Sequence, residues 1–537
     1  MIDHQSSVHN IVYNPTGSIA SCAKFNNFLE SYFESSGENV TLINCKEYLG
    51  KSCHVKENFK FDQNSYKLTH KVVCKICVHR QEVISQDSKS SILWINKNEI
   101  QEIEELIQSI NQENYQEFRY NDVLFGINSA YDIILKYKLQ NIDQIVNYWN
   151  EYMLSLKNSL KTYWEIISIS TNLNAKRLFV YNSLYSTNRA AVEAANKLSI
   201  KCYTINKGYN VSERESSYIV TEALKHPLLI HSDNRWEKVK AELQEKSIDN
   251  HMKIKMFGVD SHNFSTRRKD MSLLNMFKKF GLNKYYKKIC LVLVSSEDEY
   301  YATKLVGLYP EIGNEVFQSQ IEWLDYVKKI AQDLDHVLFI IRMHPREFSN
   351  KRSSSISANI DVVTSNFTGR EENVYINAPK DGVSVYDLIL NSDLVLNMSS
   401  SLGAEVAYLK KPIIGFMSTR LVAYPKSIHK ISNSSEEYRE DVVRYLSLEK
   451  SEVVKITMNQ RTQAIKWFKY LFEIAPIRFK KEENNVESLK RSNLPRYIPE
   501  AIKKVLNIIL FLNEKKKFET PNDYSDNYLK LDLILGK

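Results

Sequence analysis

The chain has 537 residues, of which 43% are hydrophobic, 25% charged and 11% aromatic. This ordinary globular mix excludes disordered, collagen-like and coiled-coil chains. The 72 Lys and Arg against 64 Asp and Glu give a net charge of +8, too mild over this length for a dedicated nucleic-acid binder.

In chain order, His9–Tyr13 reads as a short strand and Asn14-Pro15-Thr16-Gly17-Ser18 as a turn. Lys24–Phe33 has helical periodicity, and Val40–Asn44 is a second strand. Residues 94–170 are rich in Glu, Gln, Asn, Ile and Leu at helical spacing and predict several helices. Arg177–Tyr181 is a buried strand, Asn182–Asn188 a polar loop, Arg189–Leu198 a helix and Lys201–Ile205 a strand. Strand, helix, strand at this spacing is a βαβ unit with a parallel sheet. Residues 232–285 are polar and read as connecting structure.

A second alternating series follows. Lys288–Val294, His336–Met343, Val374–Asn377, Asp393–Met398 and Pro412–Phe416 are strands. Gln320–Leu334, Ser384–Asn391 and Ser401–Leu409 are helices. Continuous apolar strands with helices between them mean a parallel sheet covered on both faces. After about residue 455 the chain reads as helical to its end. The fold class is therefore α/β: two Rossmann-like parallel-sheet domains facing a cleft, with a helical C-terminal tail. The boundaries are 1–285 for the first domain, with its helical insertion at about 94–170, 286–455 for the second, and 456–537 for the tail.

The glycines restrict how a phosphate could be held. There are 14, and the closest pair, Gly307 and Gly313, is six residues apart. Neither G-x-G-x-x-G nor the P-loop pattern can be present. In an open parallel sheet, ligands sit beyond the carboxyl ends of the strands, so the residues just after each strand are the candidates. Arg342, His344, Pro345 and Arg346 follow one strand, and there an imidazole can donate to, or protonate, a phosphate oxygen. Ser399, Ser400 and Ser401 follow another. They open a helix whose free N–H groups and hydroxyls suit an anion, with Glu405 one turn on. Glu297, Asp298 and Glu299 follow a third. In the first domain, Asn182, Ser183, Arg189, Lys207 and Gly208 occupy the corresponding ends. Cys74 and Cys77 with His79 have zinc-like spacing but lack a second cysteine pair, and Asp333-Leu334-Asp335 lies at the wrong end of its sheet.

The seven cysteines, an odd number, make no disulfide framework and point to a reducing compartment. The N-terminal MIDHQSSVHN lacks the pattern of a secretory leader, and no apolar run approaches 18 residues. Basic clusters at Lys284, Lys287-Lys288, Lys480-Lys481 and Lys515–Lys517 suit a solvated face or an anionic membrane surface. The expected location is cytoplasmic, with possible peripheral contact on the inner membrane.

The stretch IIRMHPRE, followed some fifty residues later by SDLVLNMSSSLGAEVAYLKKPIIGF, resembles the bacterial capsule polysaccharide biosynthesis family. These are GT-B glycosyltransferases that include Kdo transferases. The HP and serine motifs also resemble those of bacterial sialyl- and polysialyltransferases. SSEDEYYA at 295–302 and the segment 181–209 fit the same pattern. The resemblance implies a metal-independent transferase with no cofactor. It would move a sugar from a nucleotide sugar, with a CMP-sugar favoured, to a glycan or lipid-linked acceptor of capsule or lipopolysaccharide. It implies that His344 and Pro345 contact the nucleotide or its phosphate, that Ser399–Ser401 bind phosphate and that Glu405 lies on the ribose side. It leaves Glu297, Asp298 and Glu299 as candidate bases, with Arg342 and Arg346 near the donor. The chain departs from the family at Asn206-Lys207-Gly208, where relatives carry an acid before the glycine. Sugar-nucleotide epimerases and glycerophosphotransferases resemble the same architecture, and a non-catalytic nucleotide-sugar-binding subunit is the third alternative.

Overall fold

The computed structural model describes residues 8–16, 20–45, 47–50, 53, 67–84, 90–91, 97–223, 234–241, 245–258, 270–282, 286–307, 315–349, 354–367, 372–418, 424–479 and 525–537. Gly17, Ser18 and the clusters at Lys284, Lys480-Lys481 and Lys515–Lys517 lie outside them.

The first sheet contains β1 (His9–Tyr13), β2 (Asn39–Ile43), β3 (Ser90–Ser91), β4 (Ala175–Tyr181), β5 (Lys201–Lys207) and β6 (Ser217–Glu222). The second contains β7 (Lys288–Leu293), β8 (Val337–Arg342), β9 (Val374–Asn377), β10 (Leu394–Asn397), β11 (Ile413–Phe416) and β12 (Lys430–Ser432). A two-residue strand, β13 (Ile477–Arg478), returns to the first sheet. The spatial orders are β3-β2-β1-β4-β5-β6-β13 and β9-β8-β7-β10-β11-β12. Both run outward from one strand, then restart on its other side, which is the doubly wound plan of a GT-B-like pair of Rossmann domains. The switch points are β1/β4 and β7/β10. Strands β7 and β8 are buried over nearly their whole length, because KICLVL and VLFIIR are covered on both faces.

The first domain departs from a purely parallel sheet at its edge. β5 runs on to Lys207 and turns into β6, which pairs with it antiparallel, and β13 pairs antiparallel with β6. On one face of this sheet lie the helices Trp149–Asn172 and Ser186–Lys197. Ala191, Ala194 and Ala195 are fully buried, and their small side chains let these helices approach closely.

The domain boundaries shift from those expected. Trp236, Ile248, Met252, Met276 and Phe277, in the segment expected to belong to the first domain, pack in one core with Leu291, Leu338 and Trp467. The tail divides. Helix Lys450–Lys469 covers the second domain. Helix Ser525–Leu535 lies against helix Ala20–Ser35, where the Tyr32 hydroxyl donates to Asp532 at 2.5 Å and Leu531 and Leu535 are buried. Among the described residues no helix is long and apolar enough to cross a membrane.

One polar group lies deep in the first domain. Glu165, 1% exposed on helix Trp149–Asn172, sits near the hydroxyls of Tyr13, Tyr48 and Thr162, and burial pushes its carboxyl up to about 8. The folded state then holds a proton that the unfolded chain releases near its ordinary value of 4.5. The contribution of this proton to stability therefore declines as pH rises from that value and is gone above about 8, a loss of a few kcal/mol on the order expected for a buried acid. Thermal melts between pH 5 and 9 should show this decline in the parent and a flatter profile in Glu165→Gln. Parallel profiles would contradict it.

Candidate functional site

Three loops meet over the β7/β10 switch point. The first follows β7. The Ser295 amide donates to Gln320 Oε1 at 2.8 Å, and its hydroxyl lies 2.7 Å from that of Ser399 in the loop after β10. The Ser296 hydroxyl donates to Asp298 at 2.5 Å. Asp298 is fully buried, and Arg346, from the loop after β8, donates to it through Nε at 3.0 Å and Nη2 at 2.7 Å. Nη2 also donates to the Leu135 carbonyl of the first domain at 2.8 Å.

His344 begins the short turn Pro345–Glu347. Its Nδ1 accepts from the Arg346 amide at 3.3 Å, which puts the ring proton on Nε2. Burial, with the Arg346 and Arg342 guanidiniums nearby, holds the imidazole down at about 4, against the pull of Asp298. At neutral pH His344 is therefore an uncharged N–H donor. Arg342 turns the other way. It is 4% exposed, and its Nη1 donates to Asn377 at 2.5 Å. Its Nε is buried with no partner among the described residues, and burial lowers its pKa to about 10. A buried guanidinium with an unmet donor is costly.

The serine loop is clamped by Asn397. Its Oδ1 accepts from the Ser400 amide at 2.9 Å, while its Nδ2 donates to the Ser400 carbonyl at 3.0 Å and to the Tyr424 hydroxyl at 2.5 Å. Ser401 precedes the seven-residue helix Leu402–Tyr408, is exposed and makes no side-chain cap, so its hydroxyl is not consumed by the helix. Gly403 is required here, because a Cβ would stand 1.7 Å from the Tyr424 hydroxyl.

Several expected roles are corrected by their contacts. Asp298 is an ion-pair partner with no exposed surface, which removes it as a base. Glu405 is 5% exposed. The Tyr386 hydroxyl donates to its Oε2 at 2.5 Å, and Lys255 and His251 lie 3.3 and 3.8 Å from its Oε1. Although burial opposes it, Lys255 and His251 hold this carboxyl down at about 2, so Glu405 anchors its helix instead of meeting a ribose. Arg346 serves Asp298 and the first domain. Glu297 accepts from Gln320 at 3.2 Å, and Glu299, with 54% of its side chain exposed, lies 3.5 Å from Arg346.

The first-domain candidates are dispersed. Asn182 (φ 47°) accepts from the Leu184 amide in a local turn, and Ser183 is 1% exposed. Lys207 pairs with Glu215 at 2.7 Å, and Gly208 sits where a Cβ would strike Ser217. Arg189 lines a separate cavity. Cys74 and Cys77 lie on helix Lys67–Ile84. Among the described residues no three His, Cys, Asp or Glu side chains gather to hold a metal.

The sequence reading missed Gln320, Asn397, Tyr424, Lys255 and His251. Of these only Asn397 left a signal, a polar residue closing an otherwise apolar strand.

No family model and no curated protein matches the sequence. Solved structures do. A putative UDP-N-acetylglucosamine 2-epimerase from Listeria monocytogenes matches at 10% identity over 87% of this chain and 97% of that one, with a TM-score of 0.29. KpsC of Thermosulfurimonas dismutans, a beta Kdo 2,4 transferase, matches at 14% identity over 54% and 79%, with a TM-score of 0.30. The spinosyn rhamnosyltransferase SpnG with thymidine diphosphate matches at 10% identity over 86% and 96%, with a TM-score of 0.26. At such scores the fold rests on the chain's own topology.

Removing Arg346 leaves Asp298 buried and unpaired, so Arg346→Met should cost about 3–5 kcal/mol. Glu299→Gln, at a largely exposed position, should cost no more than about 1 kcal/mol. Urea unfolding of both variants checks the ranking, and equal costs would show that the pair is not a structural strut.

Proposed function

We propose that this protein is a glycosyltransferase that moves a sugar from a nucleotide-sugar donor to a hydroxyl acceptor. The observation that carries this reading is the meeting of three strand-end loops over the β7/β10 switch point, with the Ser399 and Ser295 hydroxyls 2.7 Å apart.

In the step, an acceptor oxygen forms a bond to the anomeric carbon. The bond from that carbon to the nucleotide phosphate breaks, and its electron pair leaves with the phosphate oxygen. Negative charge grows on that phosphate. His344 Nε2–H and the Ser399 and Ser401 hydroxyls are the donors that would meet it. The acceptor's proton goes to a carboxylate, for which Glu297 and Glu299 remain. In this reading the step needs no metal. The His-Pro and serine motifs favour a CMP-sugar as donor. The same resemblance supports an acceptor among glycan or lipid-linked precursors of bacterial surface polysaccharide and work in the cytoplasm, in peripheral contact with the inner membrane.

Thermal stabilisation by CMP, CDP, UDP and GDP tests the reading, since a ligand at 100 times its dissociation constant adds about 2.7 kcal/mol. One nucleotide should stabilise the protein. His344→Ala should weaken that binding about 10- to 100-fold, the loss of one hydrogen bond to a charged group. His344→Gln, which keeps an N–H donor, should lose less. Because the imidazole is neutral above about pH 5, His344 should add no step to affinity between pH 6 and 8. A histidine at its ordinary value would tighten binding as pH falls through about 6.5. Conversion of the donor sugar without any acceptor would replace transfer by epimerisation, and no stabilisation by any nucleotide would remove the site.

A further inference from the structure

Arg189 was expected at the cleft, and the structure assigns it elsewhere. It lines a cavity of about 430 Å³ on the flank of the molecule, between helix Ser186–Lys197 of the first domain and the end of helix Glu297–Leu305 of the second. This volume lies in the range of small-molecule sites. The Arg189 side chain is only 12% exposed. Its Nε donates to Glu193 at 2.6 Å, while neither terminal nitrogen has a partner among the described residues, and Nη1 is sealed from water. Asn128, 8% exposed, adds an amide to the same lining. Leu305 and Val306 supply an apolar wall from the second domain.

With Nε on Glu193 and Nη1 sealed, Nη2 is the group left to donate to a carboxylate or phosphate oxygen of a ligand. The neighbouring amide and the Glu193 carboxylate suit hydroxyl groups. We propose that this cavity is a second small-molecule site, taking a sugar-sized ligand that carries one acidic group, and that the ligand bridges the two domains. It shares no residue with the loops over β7 and β10, so it stands apart from the nucleotide reading.

The test is calorimetric titration of the full chain with glucuronate and with glucose 6-phosphate, with glucose as the uncharged control. At least one acidic sugar should bind and raise the melting temperature, and glucose should not. The arm that binds identifies the acidic group as carboxylate or phosphate. Arg189→Gln should weaken binding about tenfold or more. Leu305→Trp, which fills the cavity from the opposite wall and leaves every charge in place, should do the same, and it keeps the proposal testable if Arg189→Gln does not fold. Ser399→Ala should bind the acidic sugar as the parent does. No binding by either acidic sugar, unchanged binding in Leu305→Trp, or loss of binding in Ser399→Ala would each overturn the proposal.

Discussion

The ion pair between Arg346 and Asp298 sets the geometry on which the site depends. A buried carboxylate is tolerated only when its charge is matched and its oxygens are bonded. Asp298 meets that condition with the fork of Arg346 and the Ser296 hydroxyl. The pair fastens the loop after β7 to the loop after β8. The same guanidinium reaches the Leu135 carbonyl, so it also fixes the first domain against these loops. The backbone of Arg346 matters as well. Its amide donates to His344 Nδ1 and so sets which nitrogen of that ring carries the proton. One residue thus places the loops, the domain and the tautomer.

A second bridge lies on the other side of the switch point. His251 Nδ1 accepts from the Val211 amide at 3.3 Å, in the first domain's connection between β5 and β6. Its ring also faces Glu405, which lies in the helix that follows the serine loop. Lys255 and Tyr386 complete that carboxylate's surroundings. The loop carrying His344 and the helix behind Ser401 are therefore each tied to the first domain. On the Arg346 side the contact is also apolar, since Ala302 and Val306 join the first domain's core with Tyr131 and Ile134. A shift of one domain against the other would reach both halves of the proposed donor site.

What the sequence displayed and what it hid follow from range. Buried parallel strands such as KICLVL and VLFIIR carry an uninterrupted apolar run, which short windows reveal, and β1 and β9 fall where periodicity places them. The strand-end rule pointed to His344 and Ser399, whose loops the fold brings to one switch point. The edge strands β12 and β13 are short, and their pairing is decided by what lies beside them. Nothing local in Ile477–Arg478 says that it returns to Tyr218. Side-chain roles were hidden for the same reason. Asp298 reads as one of three acids at a helix start, and only the fold brings Arg346, 48 residues on, against it. Glu405 reads as a free acid until Lys255 and His251, some 150 residues earlier, are folded onto it. Arg189 opens the expected helix, but the turn of that helix carries it to the flank.

The scarcity of glycine bears on how the proposed donor site would hold a phosphate. Without a glycine loop the backbone has no close approach to a phosphate, so side chains must supply the donors. Hydroxyls and a neutral imidazole do this without leaving unpaired charge when no ligand is present. Asn397 and the contact of Gly403 with Tyr424 hold the serine loop still, which matters because a hydroxyl donor is useful only when its carrier is fixed. Arg342 is the exception, a buried cation whose Nε is unmet and whose pKa is pulled down to about 10. Arg342 faces Asn377 and turns away from His344, which leaves the hydroxyls and the imidazole as the donors of the proposed site.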